Sequence, residues 1–256
     1  MNRITKAFSD KAAFIPFIVG GDPDIETTEK LLYALYEAGA DLIEIGIPFS
    51  DPVAEGPVIE AAAVRALAGG CTVDHLFDLV ARVRGDIPVP ILFMTYYNPI
   101  FAYGVDRFIA RSVDAGLDGL IVPDLPFSER EELYEPCTTR GLELISLIAP
   151  TTGERIPEIA KNSGGFLYCV SSLGVTGTRS SLDDSAKHMI AAAKAVSDIP
   201  CAVGFGISTA EQAGQVAAFA DGVIVGSAIV KLIAAHGRNA VEPIYQFAKE
   251  IKQNIS

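Results

Sequence analysis

Short apolar segments and longer amphipathic segments alternate along the chain. Each apolar segment is nearly continuous and ends near Gly, Pro, Ser or Asp, and in the segment that follows the apolar residues recur about every 3.6 positions. Nearly continuous apolar strands are typical of a parallel sheet that is buried on both faces. The predicted strands are 13–19, 42–47, 89–94, 119–123, 142–148, 166–170, 201–205 and 222–226. The predicted helices include 25–38, 57–68, 105–115, 128–140, 154–162, 183–197, 208–219 and 239–252.

Regular alternation of strand and helix predicts βαβ units and therefore the α/β class. Eight such units in 256 residues indicate a (β/α)8 TIM barrel with residues 1–256 as a single domain. A Rossmann fold would need a G-x-G-x-x-G turn after the first strand, and the sequence there is Gly20-Gly21-Asp22-Pro23. In a TIM barrel the functional residues lie at the carboxyl ends of the strands and in the loops that follow.

Composition narrows the range of partners. The net charge of −12 argues against nucleic acid, which binds clustered Lys and Arg. Neither a signal peptide nor an apolar run long enough to span a membrane is visible, so a cytoplasmic protein that binds no membrane is expected. The four cysteines show no C-x-x-C spacing and are predicted to be free buried thiols, and the three histidines are predicted to lie on the surface or at helix ends.

Glu44 interrupts an otherwise apolar strand, Leu42-Ile43-Glu44-Ile45-Gly46-Ile47. A charged group inside a buried strand is costly unless it is paired or protonated. One interpretation is a structural Glu held by a salt bridge. The other is a general acid or base whose pKa is raised by its apolar surroundings.

A proline-rich loop, 48–57, carries two more acids, Asp51 and Glu55. Prolines stiffen a loop, so an acid in it can be held in a defined direction. For each of these acids, a role at the site and an ordinary solvated loop charge both remain open.

Glycines at the ends of the last two strands predict a phosphate site. The seventh strand leads into Gly204-Phe205-Gly206 and the eighth into Gly226-Ser227. TIM barrels often bind phosphate with these two loops and a helix N-terminus, where backbone N–H groups approach the anion. The polar segment 171–181, after the sixth strand, is either a closing lid or a solvated loop.

Some residue types are absent where certain mechanisms would need them. No lysine falls at the carboxyl end of a predicted strand, as a Schiff-base aldolase requires. No His, Asp and Glu cluster predicts a metal site. If the enzyme breaks a carbon–carbon bond, the substrate must contain its own electron sink, and a heteroaromatic ring that can be protonated would serve.

Over nearly its whole length the sequence resembles the α-subunit family of tryptophan synthase. Ile45-Gly46-Ile47-Pro48-Phe49-Ser50-Asp51-Pro52, with a Glu just before it, is the most specific segment. The other segments that carry the resemblance are 14–17, 94–99, 123–126, 174–177, 204–208 and 226–231.

The resemblance implies a lyase of tryptophan biosynthesis that cleaves indole-3-glycerol phosphate to indole and glyceraldehyde 3-phosphate. Glu44 would protonate indole C3, and Glu55 would take or hold the indole N–H proton. The family's second acid is usually Asp in L-A-D-G-P, whereas this chain has Val53-Ala54-Glu55-Gly56-Pro57, which is one methylene longer. Among further residues, Thr176 would seat Glu44 and Asp124 would support the site. The substrate contacts that the family implies fall on Phe17, Tyr96, Ile121, Asp124, Tyr168, Thr176, Gly177, Gly204, Phe205, Gly206, Gly226 and Ser227.

The resemblance also implies a partner. A β subunit would receive indole through a tunnel, in an α2β2 heterotetramer, and would contact this chain at 51–60 and 96–103. Pyridoxal phosphate would belong to that β subunit, and this chain would need no cofactor of its own. Two other interpretations of the sequence stay open: an isomerase or synthase barrel with the same phosphate site, and a non-catalytic barrel that serves only as an allosteric or channelling subunit.

Overall fold

A closed barrel of parallel strands forms the centre of the molecule. The computed structural model describes residues 2–9, 11–170, 179–204 and 206–255, and for 179–183 only the backbone. Within these residues, eight strands close in the order β1 to β8. The strands are β1 Ala13–Val19, β2 Ile43–Gly46, β3 Ile91–Met94, β4 Gly119–Ile121, β5 Glu143–Ile148, β6 Leu167–Val170, β7 Cys201–Gly204 and β8 Gly222–Val225. The predicted TIM barrel is confirmed, and each predicted strand falls on an observed one.

Helices follow the strands and cover the barrel. Their bounds are α1 Arg3–Ala7, α2 Ile25–Glu37, α3 Pro57–Ala68, α4 Val73–Val83, α5 Tyr97–Tyr103, α6 Val105–Ala115, α7 Glu131–Thr138, α8 Ile156–Lys161, α9 Arg179–Lys194, α10 Ala210–Ala217, α11 Ser227–His236 and α12 Val241–Ile255. Short 3-10 helices cover Phe127–Glu129, Pro150–Arg155 and Gly237–Asn239. Every predicted helix overlaps an observed one.

Two predicted helices begin in 3-10 turns. The segment 128–140 begins in the 3-10 turn Phe127–Glu129 before α7, and 154–162 begins in the 3-10 turn Pro150–Arg155 before α8. The second turn contains Gly153 in a non-helical conformation (φ 53°, ψ −127°), so the regular α-helix begins only after it. The observed helices α1, α4, α5 and α11 lie outside the predicted segments. In a segment as short as the seven residues of α5, a period of 3.6 is not recognisable.

Capping residues fix where several helices begin. Asp24 accepts a hydrogen bond from the Thr27 backbone N–H and starts α2, and Thr209 accepts one from Gln212 N–H and starts α10. Such side-chain caps satisfy one of the N–H groups that the first turn leaves unpaired. The two caps therefore set the first residue of the helix that follows β1 and of the helix that follows β7.

Strand register places the inward-facing side chains in layers. Glu44 on β2 is level with Phe17 on β1 and with Leu92 on β3. Because successive side chains on a strand point to opposite faces, Ile43 and Ile45 pack outward against the helices while Glu44 points into the barrel. The apolar interior around it includes Ile15, Leu92, Ile121, Ile145, Tyr168, Ala202 and Ile224.

Candidate active site

A cavity of about 870 Å³ opens at the carboxyl ends of the strands. Six of the sequence-predicted site residues line it: Phe17, Glu55, Tyr168, Gly206, Gly226 and Ser227. They come from loops and strands far apart in sequence, so the barrel is what brings them together. Apolar side chains such as Met94, Leu125 and Leu147 form much of the remaining wall, and an apolar wall is suited to an aromatic ligand.

Glu44 is fully buried and is not among the residues that line this cavity, but Phe17, its register partner on β1, is. Its exposed fraction is 0%, and neither carboxylate oxygen has a hydrogen-bond partner among the described residues. Burial raises the pKa of Glu44 well above its ordinary value of 4.5, because the charged form loses its hydration without gaining a partner. The described residues provide no salt bridge of the kind that a structural Glu would need. Full burial without a partner thus favours the neutral, protonated form of this carboxyl group, which is the form that can donate a proton.

Tyr168 lies close to Glu44 inside the barrel and also lines the cavity. Burial raises the pKa of the Tyr168 phenol, and the nearby Glu44 carboxyl raises it further. Gly204 on β7 leaves the space for this ring: a Cβ atom at position 204 would lie 2.7 Å from the Tyr168 hydroxyl. A residue with a Cβ atom at position 204 would thus collide with the Tyr168 ring. Gly204 itself is not among the residues that line the cavity.

Glu55 reaches the cavity from the loop that precedes α3. Its carboxylate accepts a hydrogen bond from the Tyr96 hydroxyl, and burial raises the pKa of Glu55 to about 7. The interpretation as a solvated loop charge does not fit this half-buried, hydrogen-bonded position. Asp51, the other acid of the loop, is exposed and is within hydrogen-bond distance of Ser50.

The part of the cavity at the ends of β7 and β8 has the features of an anion site. Ser227 is the first residue of α11, and Gly226 precedes it at the end of β8. Gly206 follows β7 with a φ of +76°, a conformation that favours glycine. All three line the cavity, and the amino end of α11 presents unpaired backbone N–H groups there.

Three other predicted substrate contacts lie outside the cavity lining. Ile121 is fully buried in the barrel interior. Asp124 accepts the Tyr97 backbone N–H at the start of α5, at 2.9 Å and 3.2 Å for its two oxygens. Tyr96 is separated from the cavity by Glu55, to whose carboxylate its hydroxyl is hydrogen-bonded. The predictions for Thr176, Gly177 and Phe205 concern positions outside the described residues. Of the segment 171–181, predicted as a lid or a solvated loop, 171–178 also lie outside them, and the remaining three residues form the start of α9.

Sequence reasoning missed Arg130, which also lines the cavity. Only 8% of the residue is exposed, and its guanidinium lies 3.9 Å from the Phe127 ring centroid and 4.1 Å from that of Tyr134. Burial lowers the pKa of Arg130. In sequence it belongs to Ser128-Glu129-Arg130-Glu131-Glu132, which looks like a solvated charged segment. No local signal distinguishes it.

Other titratable groups lie away from the cavity. His75, His188 and His236 are exposed on helices and all four cysteines are buried free thiols, as predicted. In the part of the chain that the structure describes, no cluster of three His, Cys, Asp or Glu side chains could hold a metal ion. Among those same residues, none of the helices combines the length and apolar character needed to cross a membrane.

The barrel and its site define the chain as a TIM-barrel enzyme with an apolar pocket and two carboxyl groups of raised pKa. The sequence model of the family described as tryptophan synthase alpha chain matches residues 5–256. The tryptophan synthase alpha chain of Lacticaseibacillus casei is 47% identical over 252 residues, which is 98% of this chain and 95% of that protein.

Solved structures agree with this match. Subunit alpha of tryptophan synthase from Legionella pneumophila str. Paris has a TM-score of 0.90 and 39% identity, covering 100% of this chain and 98% of the other. A chain of the tryptophan synthase complex from Pyrococcus furiosus has a TM-score of 0.87 and 38% identity, covering 95% and 98%. The chain belongs to the tryptophan synthase alpha chain family, whose members are lyases.

Proposed function

We propose that the chain cleaves indole-3-glycerol phosphate to indole and glyceraldehyde 3-phosphate in the biosynthesis of tryptophan. The observation that carries this proposal is a fully buried, unpartnered Glu44 carboxyl group next to an apolar cavity that also contains Glu55 and an anion site. We also propose that residues 1–256 form a single domain around the barrel. Buried free thiols at all four cysteines favour a cytoplasmic location.

In the proposed mechanism the protonated Glu44 transfers its proton to indole C3. The N–H proton moves to Glu55, so the ring becomes a 3H-indole with a C=N bond. The Glu44 carboxylate then takes the proton of the side-chain hydroxyl next to the ring. As its carbonyl forms, the carbon–carbon bond to C3 breaks and its electron pair restores the ring. Glu55 returns the proton to nitrogen. Atoms and charge balance with neither lysine nor metal.

Different environments suit the two carboxyl groups to these two roles. Full burial favours the neutral form of Glu44, which a general acid requires, whereas Glu55, with a pKa of about 7, is partly ionised at neutral pH. Two acids separated in this way can donate and accept protons in one cycle. Phe17 and Tyr168 would flank the indole ring, while Gly206, Gly226 and Ser227 would hold the phosphate. Contacts from Thr176, Gly177 and Phe205 remain predictions.

We further propose a β subunit as partner, in an α2β2 heterotetramer, with the pyridoxal phosphate of tryptophan synthase held by that subunit. Val53 in the Glu55 loop and Phe101 on α5 are 81% and 68% exposed. Apolar side chains exposed to this degree on neighbouring segments favour a protein contact at 51–60 and 96–103. The first segment contains Glu55 and the second contains Tyr96, so a partner that docks there would order this part of the site.

Indole release tests this function. The isolated chain should convert indole-3-glycerol phosphate slowly to stoichiometric indole and glyceraldehyde 3-phosphate, and a β subunit of the same source should raise kcat by roughly tenfold or more by favouring the ordered loop. Turnover is followed by the absorbance of indole while the β subunit is titrated. No indole at saturating β subunit would exclude the activity, and a flat titration would exclude the coupling only.

Ser227→Asp is expected to weaken substrate binding. A carboxylate at the first residue of α11 repels the phosphate by about 1–2 kcal/mol, which corresponds to roughly a tenfold rise in KM. The same charge is favourable at a helix N-terminus, so the melting temperature should be maintained. Ser227→Ala, which adds no charge, is the control and should change KM only a few-fold. An unchanged KM in Ser227→Asp would place the phosphate elsewhere.

A further inference from the structure

The Tyr96 hydroxyl lies at the centre of three hydrogen bonds behind Glu55. It accepts the backbone N–H groups of Val53 at 3.2 Å and of Ala54 at 2.9 Å, and it is hydrogen-bonded to the Glu55 carboxylate. A phenol has one proton to donate and two lone pairs to accept with. Because the two N–H groups can only donate, they occupy both lone pairs. The single proton of Tyr96 is therefore directed to Glu55, which must accept.

The position of the Tyr96 side chain is itself fixed. Its ring packs on Phe49, with ring centroids 5.5 Å apart. The next residue, Tyr97, donates its backbone N–H to Asp124, so the backbone at the start of α5 is held as well. Tyr96 is only 3% exposed and is not among the residues lining the large cavity. It is placed to act on Glu55 and not on a ligand.

We propose that Tyr96 is a positioning residue for Glu55: its hydroxyl fixes the loop 53–55 and directs a hydrogen bond that favours the ionised carboxylate. The inference rests on the proposed function, in which Glu55 exchanges the indole N–H proton. Removal of the hydroxyl deprives the carboxylate of its donor and two N–H groups of their acceptor. The charged form of Glu55 is then less stable and its carboxylate less well placed.

Tyr96→Phe tests the inference first without substrate. The titration of the Glu55 carboxyl carbon is followed by NMR and assigned by its loss in Glu55→Gln. Hydrogen bonds to charged groups are strong enough that the midpoint should rise by about 1 pH unit in Tyr96→Phe. Tyr97→Phe is the matched control, because its hydroxyl hydrogen-bonds to Glu132 at the surface, and it should leave the midpoint unchanged. An unchanged midpoint in Tyr96→Phe overturns the inference, whatever the substrate.

Kinetics then separate positioning from substrate contact. With indole-3-glycerol phosphate, Tyr96→Phe should lower kcat by roughly tenfold, leave KM within a few-fold and move the acidic limb of kcat/KM upward with the Glu55 midpoint. In the Glu55→Gln background the same change should cost almost nothing, because Tyr96 acts through that carboxylate. Equal losses in both backgrounds, or a loss confined to KM, would overturn the positioning role.

An isosteric change provides a second variant in case Tyr96→Phe does not fold. 3-Fluorotyrosine at position 96 keeps the hydroxyl protonated while Glu55 titrates and makes it a stronger donor, so the Glu55 midpoint and the acidic limb should move to lower pH. A midpoint that fails to move in this direction contradicts the inference. If the midpoint moves but the wild-type chain releases no indole with its β subunit, the proposed function fails while the Tyr96–Glu55 link stands.

Discussion

Glu44→Gln is expected to lower the rate of indole release by ~10²–10⁴-fold, the usual range for loss of a general acid–base group. Gln is close to Glu in size and has no acidic proton, so the barrel interior keeps its shape while proton transfer to indole C3 is lost. Binding of an indole-alkyl phosphate should stay within a few-fold of wild type, because the contacts assigned to the ring and phosphate are made by other residues. The measurements are single-turnover indole release and a binding isotherm.

Glu143→Gln is the matched control for this change. Glu143 is also a strand residue whose pKa is raised by burial, but it starts β5 at the opposite end of the barrel and its carboxylate accepts a hydrogen bond from Asn2. Its replacement should leave turnover nearly unchanged. A Glu44→Gln variant as active as Glu143→Gln would mean that Glu44 is a structural acid.

The same substitution should change how stability depends on pH. Burial raises the pKa of the Glu44 carboxyl group in the folded chain, whereas in the unfolded chain this group ionises near 4.5. Between these two values the folded state holds the extra proton, so the free energy of unfolding falls as pH rises. Gln does not titrate. Glu44→Gln should therefore gain stability relative to wild type as the pH rises above 4.5, as followed by urea unfolding, and a difference that does not change with pH would contradict the raised pKa.

Periodicity in the sequence was sufficient for the barrel. β1 is predicted with its observed bounds because all seven of its residues are buried and apolar, and α3 because Pro57 begins it and Gly69 follows it. Those signals are local. The segment that forms α5 contains Pro99 and is anchored by Asp124, more than twenty residues later in the chain, so its helical structure depends on a contact that no local pattern records.

The site was predictable where a residue contradicts its local pattern. Glu44 is conspicuous because the residues around it in the sequence are apolar. Gly206 and Gly226 are conspicuous because each follows one of the last two strands, where TIM barrels often bind phosphate. Arg130 and the role of Tyr96 were not predictable. A buried guanidinium in a charged segment and a phenol that binds another loop become visible only when the fold has brought distant segments together.

Glu55→Asp tests whether the geometry of the loop 53–55 requires Glu, with its longer side chain, at this position. Asp draws the carboxylate back by about 1.5 Å, and misplacements of this size can cost ~10²-fold when geometry sets the rate. The Tyr96 hydroxyl meets Glu55 while it also holds the N–H groups of Val53 and Ala54. The loop and hydroxyl cannot both follow a shortened side chain. We therefore expect Glu55→Asp to lower kcat, by roughly tenfold to a hundredfold.

Glu55→Gln separates the charge of this residue from its position. It keeps the length but cannot ionise, so it should be slower than Glu55→Asp and should lose the rise of kcat/KM through pH 7 that follows from a pKa of about 7. Asp51→Asn, in the same loop but exposed, is the control in the isolated chain and should retain both the rate and the pH profile.

If Glu55→Asp were faster than wild type, the pocket would be shaped for the shorter acid. If Glu55→Gln kept native turnover and the limb near pH 7, another group would be exchanging the indole N–H proton, and Glu44 would be the only carboxylate that the reaction requires.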